Sequence, residues 1–459
     1  MRNPGNDQDP EFESNLSREN ANTPIYFIPV QAIPAEAVVT QVTENQAQLW
    51  LGGIDSQSLE AFNSNSVFSI VDGLGNEIGQ VQLESRQGLV GRGTLKYTTS
   101  KGKLHPGNLL QERIRIIPRN ATLKIGIDES LDNKTAQQAI QAMKALKRVE
   151  PKSLTKEEVQ YIFGQMIKTK HQELQKKGVS NLPVVGSFGL FLPSQDQIIP
   201  ASFGAATEPI TEAVKRLEAK FKSLLAARVI KQILGNTNSS RLNVTVSMNI
   251  AGSNELLAET FPIRGVNKPQ QPNSSTPVSS IKFSDAGLRQ LPVDTQIAFQ
   301  IKNNESQPLY VSILVIDAEG EMTIIFPNRW SDSENAALVE AKQTQLIPQA
   351  DDEFTLTIGT PLGVSEALII ASTTPLKTAL QALQTIASRS TDTKSRNLPL
   401  PVTNELLDVT TNLLDDLDAG TRSGNSVNNI QLPSSDRGVD TTKLAAMAIA
   451  FEVVASSSS

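Results

Sequence analysis

A chain of 459 residues, 39% of them hydrophobic, is too long for one core and predicts roughly two to four domains. Its formal net charge of -6 excludes the basic field that a nucleic-acid backbone requires, and no apolar run approaches the roughly 20 residues that span a bilayer. Cysteine is absent, which excludes disulfides and thiolate nucleophiles from this polypeptide and leaves stability to packing. No apolar signal segment follows Met1-Arg2-Asn3-Pro4, so a reducing, cytoplasmic setting is expected, with neither a nucleic-acid nor a membrane partner.

Residues 1–22 are polar and aperiodic and read as a disordered N-terminus. From 23 to 127, short alternating runs are punctuated by Asp, Gly and Asn: 47–51 before Gly52-Gly53, 67–71, 78–83, 113–116 and 123–127. These are hairpin signals and predict a small β-rich domain.

A helical segment is predicted over 128–235. Its first helix opens on Leu154-Thr155-Lys156-Glu157-Glu158-Val159, a capping box with an apolar staple. It carries Val159, Ile162, Phe163, Met166 and Ile167 on one face and stops at Lys176-Lys177-Gly178. A longer helix follows Thr207-Glu208-Pro209, with Ile210, Val214, Leu217, Phe221, Leu224 and Leu225 at spacings of three and four. Continued to Leu234, it would be about 39 Å long. A packing helix is favoured over a dimerising coiled coil, which needs a longer run of clean heptads.

The third predicted domain, 236–459, returns to strand alternation at 241–248, with a polar, proline-punctuated loop at 266–280. Ile297, Phe299 and Ile301 face one way within 296–302. Residues 310–316 are apolar on both faces and predict a central strand. Further strands are predicted at 322–326, 354–358, 367–371 and 449–453, with helices at 378–388 and 404–414. The stretch 421–438 is too polar to bury and reads as a mobile loop. The expected class is α+β: multi-domain and β-rich, with a helical middle segment and a C-terminal, mostly antiparallel β domain.

Tyr310, Asp317, Gly320, Phe326-Pro327-Asn328, Ile347-Pro348, Phe354, Gly363, Glu366 and Ala371-Ser372 fall in an order that resembles the bacterial domain-of-unknown-function family numbered 4384. Upstream, Leu49-Trp50-Leu51-Gly52-Gly53, the run 79–85, Ser187-Phe188-Gly189-Leu190-Phe191 and the run 238–244 are similar to the non-catalytic C-terminal region of cyanobacterial caspase-like peptidases, the metacaspase and orthocaspase relatives. The resemblance implies a protein partner, a caspase-like catalytic domain or subunit, and a structural role for Tyr310, Asp317, Gly320, Phe326, Pro327, Asn328, Pro348, Gly363 and Glu366. It carries over no catalytic residue. The family's nucleophilic Cys is missing, and the chain's two histidines, His105 and His171, precede Pro106 and Gln172 rather than Gly.

Other candidate chemistry favours structural readings. His105 sits in a Pro-Gly turn, and His171 lies on a polar helix side near a C-terminus. Asp351-Asp352-Glu353 and Asp415-Asp416-Leu417-Asp418 lack the alternating oxygens of a calcium loop and read as a solvated turn and a charged helix end. The glycines of 73–79 and 88–93 mark hairpin turns rather than a dinucleotide fingerprint. Lys215, Arg216, Lys220, Lys222, Arg228 and Lys231 read as a solvated helix face. No cofactor, metal or catalytic site is expected. The function expected is a non-catalytic, regulatory or protein-interaction region of a caspase-like system. The alternatives are a free-standing ligand-binding sensor and a serine hydrolase using His105.

Overall fold

The computed structural model describes residues 35–456. Outside the description lie 1–34, 54–58, 60–61, 99–103, 155–158, 180–181, 235–239, 263–281, 285–286, 329–336, 390–398, 403–404, 424–429, 457–459 and the single positions 63, 74, 178, 254, 353 and 431. The expected disordered N-terminus, the capping box and the 266–280 loop therefore fall outside the described residues.

The class is α+β, built from several mostly antiparallel sheets. The first unit contains β1 (Ala37–Thr43), β2 (Gln46–Trp50), β3 (Val67–Val71), β4 (Glu77–Gln87), β5 (Val90–Thr98) and β6 (Leu109–Pro118). They follow the order β1-β2-β5-β4-β3-β6, and β1 pairs back onto β6 through Ala37↔Leu110 and Val38↔Leu109, closing a barrel. Closure removes most of the open edge, and alternation fills the inside with Val39, Ala47, Leu49, Ile70, Val81 and Leu83.

The middle unit contains β7 (Leu123–Ile127), α1 (Asn133–Lys144), β8 (Val149–Ser153), β9 (Tyr161–Gln165), α2 (Lys168–Lys176), β10 (Phe188–Phe191), α3 (Ile210–Arg216) and α4 (Glu218–Leu234). It is not purely helical: β10-β9-β7-β8 form a sheet in which β7 runs parallel to both β8 and β9. Residues 161–165, expected inside a helix, are a strand. Aromatic and β-branched Tyr161-Ile162-Phe163 favour extension, Gly164 weakens a helix, and Ile162 and Phe163 enter different cores. Pro151 is tolerated because β8 is an edge strand. The long predicted helix is interrupted at Leu217, between α3 and α4. Hydrogen bonds cross the junction, from Leu217 N to Ala213 O (3.1 Å) and from Phe221 N to Leu217 O (2.8 Å), so the apolar stripe continues through it.

The C-terminal unit is a sandwich. Its first strands are β11 (Val244–Ile250) and β12 (Leu256–Thr260), and further strands of both its sheets follow along the chain. Those strands are β13 (Arg289–Pro292), β14 (Gln296–Asn303), β15 (Leu309–Ile316), β16 (Met322–Phe326), β17 (Leu338–Val339), β18 (Thr344–Ile347), β19 (Leu356–Thr357) and β20 (Gly363–Ser372). Next come α5 (Lys377–Arg389), β21 (Leu400–Val402), α6 (Leu406–Ser423), β22 (Asp436–Asp440) and β23 (Leu444–Val454). The outer sheet runs β12-β11-β14-β18, with β19 on β14, and the inner sheet runs β13-β23-β20-β15-β16-β21.

The inner sheet is apolar on both sides. Val311, Ile313, Ala367, Ile369, Met447 and Phe451 face the outer sheet. Leu314, Ile316, Leu368, Ile370, Leu444 and Ala446 face the helices. As the doubly apolar pattern of 310–316 predicts, β15 is central, between β20 and β16. The helix-facing side joins α4, α5, α6 and the middle unit in one core, so α4 is a shared wall rather than a free dimerisation surface.

The stretch 421–438, read as a loop, is loop or turn at 430 and 432–435 but departs from that expectation at both ends. Residues 421–423 end α6, and Asp436–Asp440 form β22, which pairs with β6 and extends the barrel wall. Its polarity is absorbed by partners. Arg437 Nε donates to Asp415 (2.8 Å), Gly438 N to Asp418 (2.8 Å) and Asn65 Nδ2 to Asp436 (3.2 Å). Asp415-Asp416-Leu417-Asp418 is accordingly not an exposed helix end. Asp418 also receives Arg119 (2.6 Å) and Arg422 (2.8 Å), and Asp416 receives Ala379 N in the first turn of α5 (2.9 Å).

A second ionic joint ties the barrel to α4. Arg115 and Glu112, with side chains 2% and 1% exposed, pair on β6 through Arg115 Nε and Glu112 Oε1 at 2.7 Å. Arg115 Nη1 also donates to Gln232 O (2.9 Å) and Ile233 O (2.7 Å), placing a cation where the helix dipole is negative. Four basic residues of α3 and α4 are likewise anchored, while Lys215 is exposed. Arg216 pairs with Glu208, Lys222 with Glu218 and Lys231 with Glu366, while buried Lys220 donates to Glu319 O. Burial pushes the Lys220 ammonium below its ordinary pKa against the pull of Glu321, Glu319 and Asp317.

Two stability predictions follow from these joints. Arg115→Ala strands a buried carboxylate and should lower the unfolding free energy by about 3–5 kcal/mol in urea titration. Lys222→Ala, which breaks an exposed pair, should cost at most about 0.5 kcal/mol. Equal losses would contradict this division. At Asp128, burial alone would raise the carboxyl pKa, but hydrogen bonds from Ser130 and Lys170, together with the Lys170 charge, hold it below its ordinary value. Such a group stabilises the fold above its unfolded pKa of about 3.9 and loses that contribution as the pH falls through the lower folded value. Asp128→Asn should therefore flatten the acid limb of stability below about pH 4 and leave its pH dependence between about 5 and 7 unchanged.

Candidate functional site

Where the sandwich opens at one end, β14, β15, β16, β19, β20 and β23 border a cleft of about 290 Å³. Alternation decides what each strand presents. Ile297 and Phe299 of β14, Ile325 of β16, Leu356 of β19, and Phe451 and Val453 of β23 point inward and make an apolar floor. Thr323, Thr355, Thr357 and Thr360 stand around the mouth, and buried Ser365 lies beside Phe451 of the floor. Asp317 is the one ionisable residue of the lining. Its Oδ1 is occupied by Glu319 N and Glu321 N, both at 2.9 Å, which fold the turn between β15 and β16.

Chemically, this arrangement can desolvate an apolar group and hydrogen-bond to its polar flank. A hydroxyl nucleophile needs a base within hydrogen-bond reach, and the lining supplies no imidazole or amine. His105 is exposed on the turn before β6, where its backbone N–H donates to Asn108 Oδ1 (2.6 Å). His171 is half-buried early in α2 rather than near a helix C-terminus, because the helix begins at Lys168. Among the described residues, no group of three His, Asp or Glu side chains could hold a metal, and no helix is long and apolar enough to cross a membrane.

Of the residues singled out by resemblance, Asp317 alone lines the cleft. Gly320, at φ +79°, completes its turn, a conformation that glycine adopts without strain. Gly363 has φ +125°, and an added Cβ would lie 2.9 Å from that of Ala318, so it lets β20 pass close to the same turn. Glu366 pairs with Lys231 at 3.0 Å, joining the inner sheet to α4. Tyr310 packs toward the helical side. Phe326, Pro327 and Asn328 close β16, with a cis bond before Pro327, and Pro348 follows a second cis bond after β18. Asn328 is buried.

The hydroxyl mouth is absent from the sequence-level candidates. Its faint signal lay in Phe354-Thr355-Leu356-Thr357-Ile358, where Thr alternates with apolar residues as at the rim of a strand. The ionic joints were missed as well, although Arg113-Ile114-Arg115-Ile116 puts two arginines on one strand face.

No curated protein and no solved structure matches the chain. Residues 290–375, which form the inner sheet's centre and much of the cleft, match the model of a family described as a domain of unknown function (DUF4384).

Proposed function

We propose that this chain binds rather than cuts: it acts as a non-catalytic accessory or regulatory region of a caspase-like peptidase system, contacting a protein partner. The observation that carries the proposal is the cleft, with its apolar floor, its rim of hydroxyl residues and no imidazole or amine in its lining. An apolar side chain of a partner segment fits such a floor, and the threonines can pair with the segment's backbone groups. The absence of any cysteine removes the nucleophile that caspase-like chemistry requires, and the resemblance upstream of residue 290 names the kind of partner.

The test mixes the purified chain with the catalytic domain of a caspase-like peptidase. It measures affinity by calorimetry and cleavage of a peptide substrate. Binding with an altered cleavage rate is expected. Thr357→Arg, which fills the mouth from an exposed position, should weaken binding about tenfold or more with the melting temperature unchanged. No binding together with unchanged cleavage would overturn the proposal. Stabilisation by a small apolar ligand with no partner binding would point instead to a free-standing sensor, the reading that the cleft's modest volume favours next.

A further inference from the structure

The motif Leu49-Trp50-Leu51-Gly52-Gly53 plays no part in the cleft. It builds a different feature on the barrel's outer wall. A Cβ added to Gly52 would stand 2.2 Å from Trp50 Cη2, 2.3 Å from Cζ2 and 2.5 Å from Cζ3. Three nearly equal distances place that point over the face of the six-membered ring. Beyond the ring edge, Cη2 would be much nearer than the other two atoms. The indole therefore lies flat against the Gly52 backbone, and its 49% exposure belongs largely to the opposite face. Gly53 holds the turn in place, since its own Cβ would strike Ala35 O at 2.1 Å.

Three strands continue the surface in register. Trp50 stands between Val38 and Val90, Gln48 between Gln41 and Arg92, and Gln46 between Thr43 and Thr94. The second and third rows surround a shallow depression of about 230 Å³. On the same wall Glu84 accepts the Thr94 hydroxyl, and Arg92 is the one charged residue lining the depression. The result is one flat aromatic face beside a bed of amide, guanidinium and hydroxyl groups. Residues two apart on a strand face lie roughly 7 Å from each other, so the surface has the reach of a short oligomer.

We propose that this wall of the barrel is a binding site for a β-linked oligosaccharide. One sugar ring lays its slightly positive C–H face on the negative face of Trp50. The next places its hydroxyls among Gln41, Gln48 and Arg92, which supply donors and acceptors together. This site is independent of the sandwich cleft.

The test titrates the full chain with cellohexaose and with laminarihexaose, following tryptophan fluorescence and calorimetric heat. Binding of at least one hexasaccharide is expected, about tenfold or more weaker in Trp50→Ala. Gly52→Ala keeps the tryptophan but displaces its ring and should weaken binding comparably. Gln48→Ala should weaken binding while leaving the melting temperature unchanged. Failure of both sugars to bind at millimolar concentration would overturn the proposal, as would binding insensitive to Trp50→Ala and Gly52→Ala. Binding of decaproline with rejection of both sugars would also overturn it, assigning the platform to an extended peptide.

Discussion

Strands β15, β20 and β23 carry apolar side chains on both faces, and a sheet built that way has to be covered twice. Each Leu, Ile or Phe left uncovered would forgo about 1.5–3 kcal/mol, so the demand is strong on either side. The outer sheet meets it on one face, through Val246, Phe299 and Ile347. On the other face α4, α5 and α6 meet it, and through α4 so does the middle unit. The cleft exists because the first cover is incomplete: β19 is short, and the two sheets part where Thr355 and Thr357 stand at the rim.

Hydrophobic cover does not fix how the barrel sits against this body. Directional contacts do. Arg115 reaches the carbonyl end of α4, and Asp415 and Asp418 gather Arg119 just after β6, Arg422 of α6 and Arg437 of β22. Arg115, Glu112, Asp418 and Arg437 are buried and are tolerated only when each has a partner, so their geometry specifies one docking arrangement. β22 completes the joint by adding a strand to the barrel wall from the far end of the chain.

The parts legible in the sequence were those written in local periodicity. The central position of β15 follows from a run with no polar alternate, and the barrel hairpins follow from Asp/Gly/Asn turns between alternating runs. The strand β9 was misread because Ile162, Phe163 and Met166 satisfy helical spacing as well as strand alternation over so short a window. β22 was illegible for a different reason. Its polarity looks unburiable until its partners are known, and the network that receives it pairs Arg119 with Asp418, 299 residues away. The candidate cleft was half visible: its floor lay on predicted strands, but which hydroxyls meet at the mouth depends on how two sheets splay. Asp317, the one family-motif residue at the mouth, is spent largely on its own turn.

The functional account places recognition at two surfaces made by the same device, a β wall that ends or thins and leaves side chains unshared. The sandwich cleft is the one on which the regulatory reading depends. Hydrogen exchange of the chain, alone and with a caspase-like catalytic domain, tests it most directly. The account predicts slowed exchange in Met322–Phe326 and Leu356–Thr357, which border the cleft. Protection confined to the barrel or to α2, with these strands unchanged, would contradict it.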